Sequence, residues 1–251
     1  MRIKFSRIAL LSCLTLALMA CSTPLEKPND HAKERARAHA DLGAAYLQQG
    51  RLDVALDEFS LASKIEPGFA AAFNGLGLVH AALGQDALAE FHFKKAIQLE
   101  PLNSEAHNNY GSFLCARNRL DDSITEFLAA LKNPLYATPA MAYTNAAVCA
   151  IRKNDSLQAE GYLQRALQLD PTASVAAYQM ANLQFKRNDA AAAKKTLSQS
   201  LLSQANAEML WLAIQIERVL GDADLVASYA LELRQRYPAS EQAKLLQGEK
   251  P

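Results

Sequence analysis

AAAFNGLGLVHAALGQDALAEFHFKKAIQLEP, residues 70–101, decides the fold of this chain. It reads as two amphipathic helices joined at Gly84 and stopped at Pro101. Gly84 can take the left-handed conformation that caps a helix, and Pro101 lacks the N–H that would continue the hydrogen-bond ladder. Leu76 and Gly77 fall midway along the first helix, where the bare Cα of Gly77 lets the second helix come close. Ala89 and Ala96, one above the other on the second helix, do the same from the other side. Phe93 then fills the space between these small residues and the next unit.

These residue types recur at a fixed interval. Gly43, Gly77 and Gly111 are 34 residues apart, and so are Phe59, Phe93 and Phe127. Ala55 and Ala89, Ala62, Ala96 and Ala130, and Pro67 and Pro101 keep the same interval of 34. A helical hairpin with this alternation of small and large residues at this period resembles the tetratricopeptide repeat. One hairpin cannot hide its own apolar face, so several must stack into a superhelix. The fold expected is all-α, with about six repeats at 36–69, 70–103, 104–139, 140–173, 174–206 and 207–238 inside a domain covering 31–251. Asn118, Asn154 and Asn188 replace the turn glycine in repeats three to five, and Gly221 restores it in the sixth. The link from the third repeat to the fourth, Lys132 to Pro139, is two residues longer than the period allows. No run of alternating β-branched residues suggests a sheet.

The start of the chain follows another logic. Arg2, Lys4 and Arg7 precede a short apolar stretch, Ile8–Leu18, too short to span a bilayer comfortably, so residues 1–20 read as a secretory signal. Leu18-Met19-Ala20-Cys21 resembles a bacterial lipobox, which makes Cys21 the expected site of lipid attachment and the mature N-terminus. Several acyl chains on one cysteine anchor firmly, at about 0.8 kcal/mol per buried methylene. Residues 21–30, with Pro24 and Pro28, read as the lipidated tether, and Asp30 as the N-cap of the helix that enters the first repeat. Ser22 rather than Asp follows the cysteine, which in the lipoprotein sorting rule implied by that resemblance favours the outer membrane.

Loss of residues 1–20 removes Arg2, Lys4 and Arg7 and no acid, so the 26 basic and 26 acidic side chains of the full chain become 23 and 26. With no basic block, nucleic acid is excluded as a partner. Among the five histidines no zinc-protease spacing occurs, no two cysteines stand two apart, and no metal or cofactor is expected. No nucleophile elbow, phosphate loop or Ser-His-Asp set is present, so neither catalysis nor a small-molecule substrate is expected. His39 and His107 occupy one repeat position, held by Phe73 in between, where aromatic packing is usual. Cys115 and Cys149 fall late in the first helices of consecutive repeats; they are either a disulfide or two small buried side chains.

What remains is the concave surface, lined by the first helix of each repeat. Stacking places Leu47 beside Asn74 and Leu78, then Asn108, Ser112 and Cys115, then Thr144, Val148 and Ile151, then Tyr178, Asn182 and Phe185. Apolar side chains mixed with amides suit a bound peptide, whose backbone the amides can bond. Alternatively, Asn74 and Asn108 bond neighbouring helices within the stack.

A lipobox, a short proline-containing tether and six repeats together resemble the type IV pilus biogenesis lipoproteins of the PilF/PilW type. The telling segments are Asn108-Asn109-Tyr110-Gly111-Ser112-Phe113-Leu114, the long link with Leu135-Tyr136, and Ala227–Leu233 running into Arg236-Tyr237-Pro238. The resemblance implies a pilotin. Such a protein is a lipoprotein on the periplasmic face of the outer membrane that binds the pilus secretin subunit and promotes its localisation there and its multimerisation. Pilus biogenesis and twitching motility depend on that step. The alternative is an adaptor of another envelope complex, for cell-wall synthesis or another secretion system.

Overall fold

The computed structural model describes residues 28–248. The expected signal peptide, Cys21 and the tether as far as Lys27 lie outside the described residues. The described chain forms thirteen helices and no strand. They are α1 (Pro28–Gln48), α2 (Leu52–Ile65), α3 (Ala70–Ala82), α4 (Asp86–Leu99), α5 (Ser104–Ala116), α6 (Leu120–Ala130) and α7 (Pro139–Arg152), followed by α8 (Ser156–Leu169), α9 (Ser174–Lys186), α10 (Ala190–Gln204), α11 (Ala207–Leu220), α12 (Ala223–Arg236) and α13 (Glu241–Gly248). One expectation fails at the start: α1 opens at Pro28, so Asp30 lies inside the helix and does not cap it. Proline is suited to a helix start, because its fixed φ is already helical and its missing N–H is one the first turn leaves unpaired anyway.

Consecutive helices pair into hairpins, and each hairpin packs on the next. The turns are left-handed at Gly50, Gly84, Asn118, Asn154, Asn188 and Gly221, with φ between 62° and 81°. Asparagine bears this conformation better than other side chains do, which is why it can stand in for glycine. In the asparagine turns the preceding residue is basic and clips back to the hairpin before: Arg117 donates to Asp86 at 2.6 and 2.8 Å, Lys153 to Asp121 at 2.5 Å and Arg187 to Glu160 at 2.6 and 2.8 Å. The Arg117 guanidinium holds the Asp86 carboxyl below its ordinary range. These pairs are exposed and contribute little stability; they fix register.

The core is built from one pair of positions per hairpin, sixteen residues apart. In the first three hairpins it is Gly43 with Phe59, Gly77 with Phe93 and Gly111 with Phe127. A methyl group on Gly77 would stand 2.6 Å from the Phe93 ring, and one on Gly111 2.9 Å from the Phe127 ring. The fourth and fifth hairpins use Ala147 with Leu163 and Ala181 with Leu197, and the sixth reverses the sizes with Ile214 and Ala230, all of them buried. As the first partner grows the second shrinks, which keeps the filled volume near that of a close-packed interior. Phe59 also reaches the next hairpin, where a methyl on Gly75 would lie 2.2 Å from its ring.

A second position pair, nineteen residues apart, fastens the two helices of a hairpin. It is His39 with Glu58 at 2.7 Å, Phe73 stacked on His92, His107 with Glu126 at 2.6 Å, and Tyr143 against Tyr162. The usual aromatic position is thus a hydrogen-bonded histidine–glutamate pair in two hairpins. Odd-numbered helices from α1 to α11 each touch the next odd-numbered one, whereas none of the even-numbered helices touches another. The odd helices therefore form the tighter, inner side of the curve. α13 packs on α11 and α12 and closes the far end, burying Ala243 against Leu210 and Leu233.

Candidate functional site

The inner curve carries the residues expected to line a groove. Their positions follow from helix periodicity: α3, α5 and α7 each present one residue per turn to the hollow, while the residues between them enter the core. Leu47 is half-buried beside the core of the first two hairpins, and Leu78 packs beside Phe93, Tyr110 and Phe113. Ser112 and Val148 come together in a hollow of about 240 Å³ with Asn145, Arg152 and the two cysteines. Thr144 belongs to a neighbouring hollow of about 370 Å³ that Met141 and Val175 also line. Tyr178 is half-buried against the core of the fifth and sixth hairpins, and burial pushes its phenol up; Asn182 stands half-buried near the end of the row.

The amides are arranged as a ladder. Asn109 Nδ2 donates to Asn74 Oδ1 at 3.2 Å, and Asn145 Nδ2 donates to Asn108 Oδ1 at 3.1 Å. Asn74 and Asn108 are only 9% and 4% exposed, so each carboxamide oxygen is taken up within the stack. Thr144 Oγ1 donates to the Ala140 carbonyl at 2.8 Å, and Ser112 Oγ to the Asn108 carbonyl at 2.9 Å. The polar atoms of this floor are largely satisfied, so side chains between the rungs, such as Leu78 and Val148, are left to supply contact by burial. Asn109 and Asn145 are partners that sequence reasoning did not single out. Their signal is a one-residue offset: each follows a ladder asparagine's repeat position by one.

Cys115 and Cys149 form a disulfide, with Cα atoms 6.0 Å apart. It ties α5 to α7 at the hollow that Ser112 and Val148 share. Arg152 lies across it, donating from Nη1 to the Cys115 carbonyl at 2.6 Å. Elsewhere the titratable groups serve structure. His107 is nearly buried, and its bond to Glu126 raises its pKa, helped by the Pro101 carbonyl 3.1 Å from Nε2. Burial, then the neighbouring His80 ring, lowers that of His92. Lys94 and Arg119 hold Glu90 down to about 2. Among the described residues no three His, Cys, Asp or Glu side chains converge as a ligand set.

A curved stack of helical hairpins with a lined inner face is a tetratricopeptide-repeat scaffold, and models of the tetratricopeptide repeat match residues 70–101, 92–125, 116–174 and 150–214. The chain is 30% identical over 253 residues to the type IV pilus assembly protein PilF of Pseudomonas aeruginosa, an alignment covering 97% of this chain and 99% of that one. A solved structure of Pseudomonas aeruginosa PilF superposes with a TM-score of 0.77 at 29% identity, over 89% of this chain and 100% of the other. The crystal structure of PilW, a widely conserved type IV pilus biogenesis factor, superposes with a TM-score of 0.73 at 26% identity, over 84% and 97%. The chain belongs to the PilF/PilW family of tetratricopeptide-repeat proteins of type IV pilus biogenesis.

Proposed function

We propose that this chain is an outer-membrane pilotin: a lipoprotein that binds the type IV pilus secretin subunit and brings it to the outer membrane, where it multimerises. The observation that carries the reading is the full-length relationship to PilF. The lipobox at Cys21, with Ser22 behind it, supports anchoring on the periplasmic face after cleavage of residues 1–20, residues 21–30 then linking lipid to fold. The inner curve supports a polypeptide partner, because the side chains around Leu47, Leu78, Val148 and Tyr178 can cover apolar side chains along a rigid track.

The physical work is concentration and not chemistry. Acyl chains on Cys21 confine the scaffold to a surface, and a subunit held in its groove is confined with it. Subunits restricted to a thin layer meet far more often than subunits diluted through the periplasm, which favours ring closure. Cys21→Ala tests this: secretin fractionated from cells carrying it should remain monomeric and away from the outer membrane. Normal secretin rings in those cells would refute the proposal.

A further inference from the structure

The turn 100–103 faces the long link 131–138 across a cleft of about 630 Å³, larger than either hollow of the inner curve. Leu102 and Leu135 form its lips, and Leu135 is 87% exposed. The frame is held rigidly: Asn133 Nδ2 donates to the Leu102 carbonyl at 3.1 Å, and Ser104 Oγ donates to the Ala130 carbonyl at 2.8 Å. The two residues beyond the repeat period are what widen the link into a wall. Among the described residues neither carboxylate of the cleft, Glu100 or Glu105, is paired with a lysine or arginine. The Glu105 side chain has neither an ion pair nor a hydrogen bond among the described residues, and the Glu100 carboxylate accepts from Asn103 Nδ2 at 2.8 Å. The Tyr136 hydroxyl is buried, with Thr138 beside it. Lys132 lies on the same link but does not line the cleft.

We infer that this cleft is a second docking site, for an extended segment of the secretin subunit in which a lysine or arginine stands next to a large apolar side chain. The inference rests on the pilotin reading and adds a surface to it. The leucine lips can bury the apolar side chain, and the two carboxylates complement the cation. The cleft also adjoins the groove. Thr138 lines the cleft and Thr144 the inner hollow, six residues on and about 9 Å along α7, so one segment can run from one to the other.

A photoreactive benzoylphenylalanine placed at Leu135, Leu78 or Leu157 of the full-length protein in secretin-producing cells tests this, with adducts identified by antibody to the secretin. Leu157, 84% exposed on α8, serves as the control. The expected result is a secretin adduct from Leu135 and from Leu78 and none from Leu157. Paired Glu100→Lys and Glu105→Lys substitutions should then cut the Leu135 adduct at least fivefold and leave the Leu78 adduct in place. An adduct from Leu78 but none from Leu135, or one at Leu135 indifferent to the charge reversal, overturns the second site while sparing the pilotin reading. No secretin adduct from either position overturns both.

Discussion

Gly77 and Phe93 show how much one atom matters in this stack. Adding a methyl at Gly77 forces the Phe93 ring to move, since it lies 2.6 Å from where the new carbon would be. Gly77→Ala should cost about 1–3 kcal/mol in urea unfolding. Phe93→Leu alone should cost on the order of 1 kcal/mol through the space it empties. The double variant recreates the Ala147 and Leu163 pair of the fourth hairpin and should lose less than the two single losses combined, by on the order of 1 kcal/mol. Simple additivity would show that the two sites do not compensate. The recurrence of Gly and Phe at 34 residues is legible in the sequence, and so is the left-handed turn at Asn118, Asn154 and Asn188. The compensation is not, because it appears only when Ala147 and Ile214 are known to face Leu163 and Ala230.

At the scale of the helix pair, His107 fastens α5 to α6 and to the Pro101 turn. Its pKa is raised in the folded protein by the Glu126 bond first, so the charged form is what folding favours. That contribution is present in full below the unfolded value of about 6.5 and is lost as pH rises through the folded value. His107→Phe, which copies Phe73, should therefore narrow its stability gap to the parent protein as pH is raised above 6.5, read from urea midpoints. A gap independent of pH would mean that His107 acts by packing alone. The disulfide is the other cross-element device. It closes a loop with a sequence separation of 34, and its reduction should lower stability by about 3–4 kcal/mol on the chain-entropy model. An unchanged urea midpoint after reduction would show that the packing of α5 on α7 suffices without it. Sequence could not choose between a bridge and two buried thiols, since Cys115 and Cys149 fall late in the first helices of consecutive repeats in either case. The asparagine ladder is half legible: bonding of Asn74 and Asn108 to neighbouring helices is one of two readings the sequence allows, but their partners Asn109 and Asn145 sit one repeat position further on.

At the scale of the molecule, a stack in which each hairpin touches only its neighbours is a stiff, curved track whose inner face is preset. Its polar floor is largely satisfied within the stack, with Leu78 and Val148 as apolar side chains between the rungs. The placing of residues on the inner face follows from the repeat alone, whereas the cleft at Leu135 does not, because it arises from two turns brought together by stacking. The most direct test is calorimetric titration of the purified protein with purified secretin subunit, for the parent and for Leu78→Glu. With the melting of the variant kept within a few degrees of the parent, its affinity should fall tenfold or more, about 1.4 kcal/mol. Equal affinity for parent and variant would contradict a secretin subunit held in the concave groove.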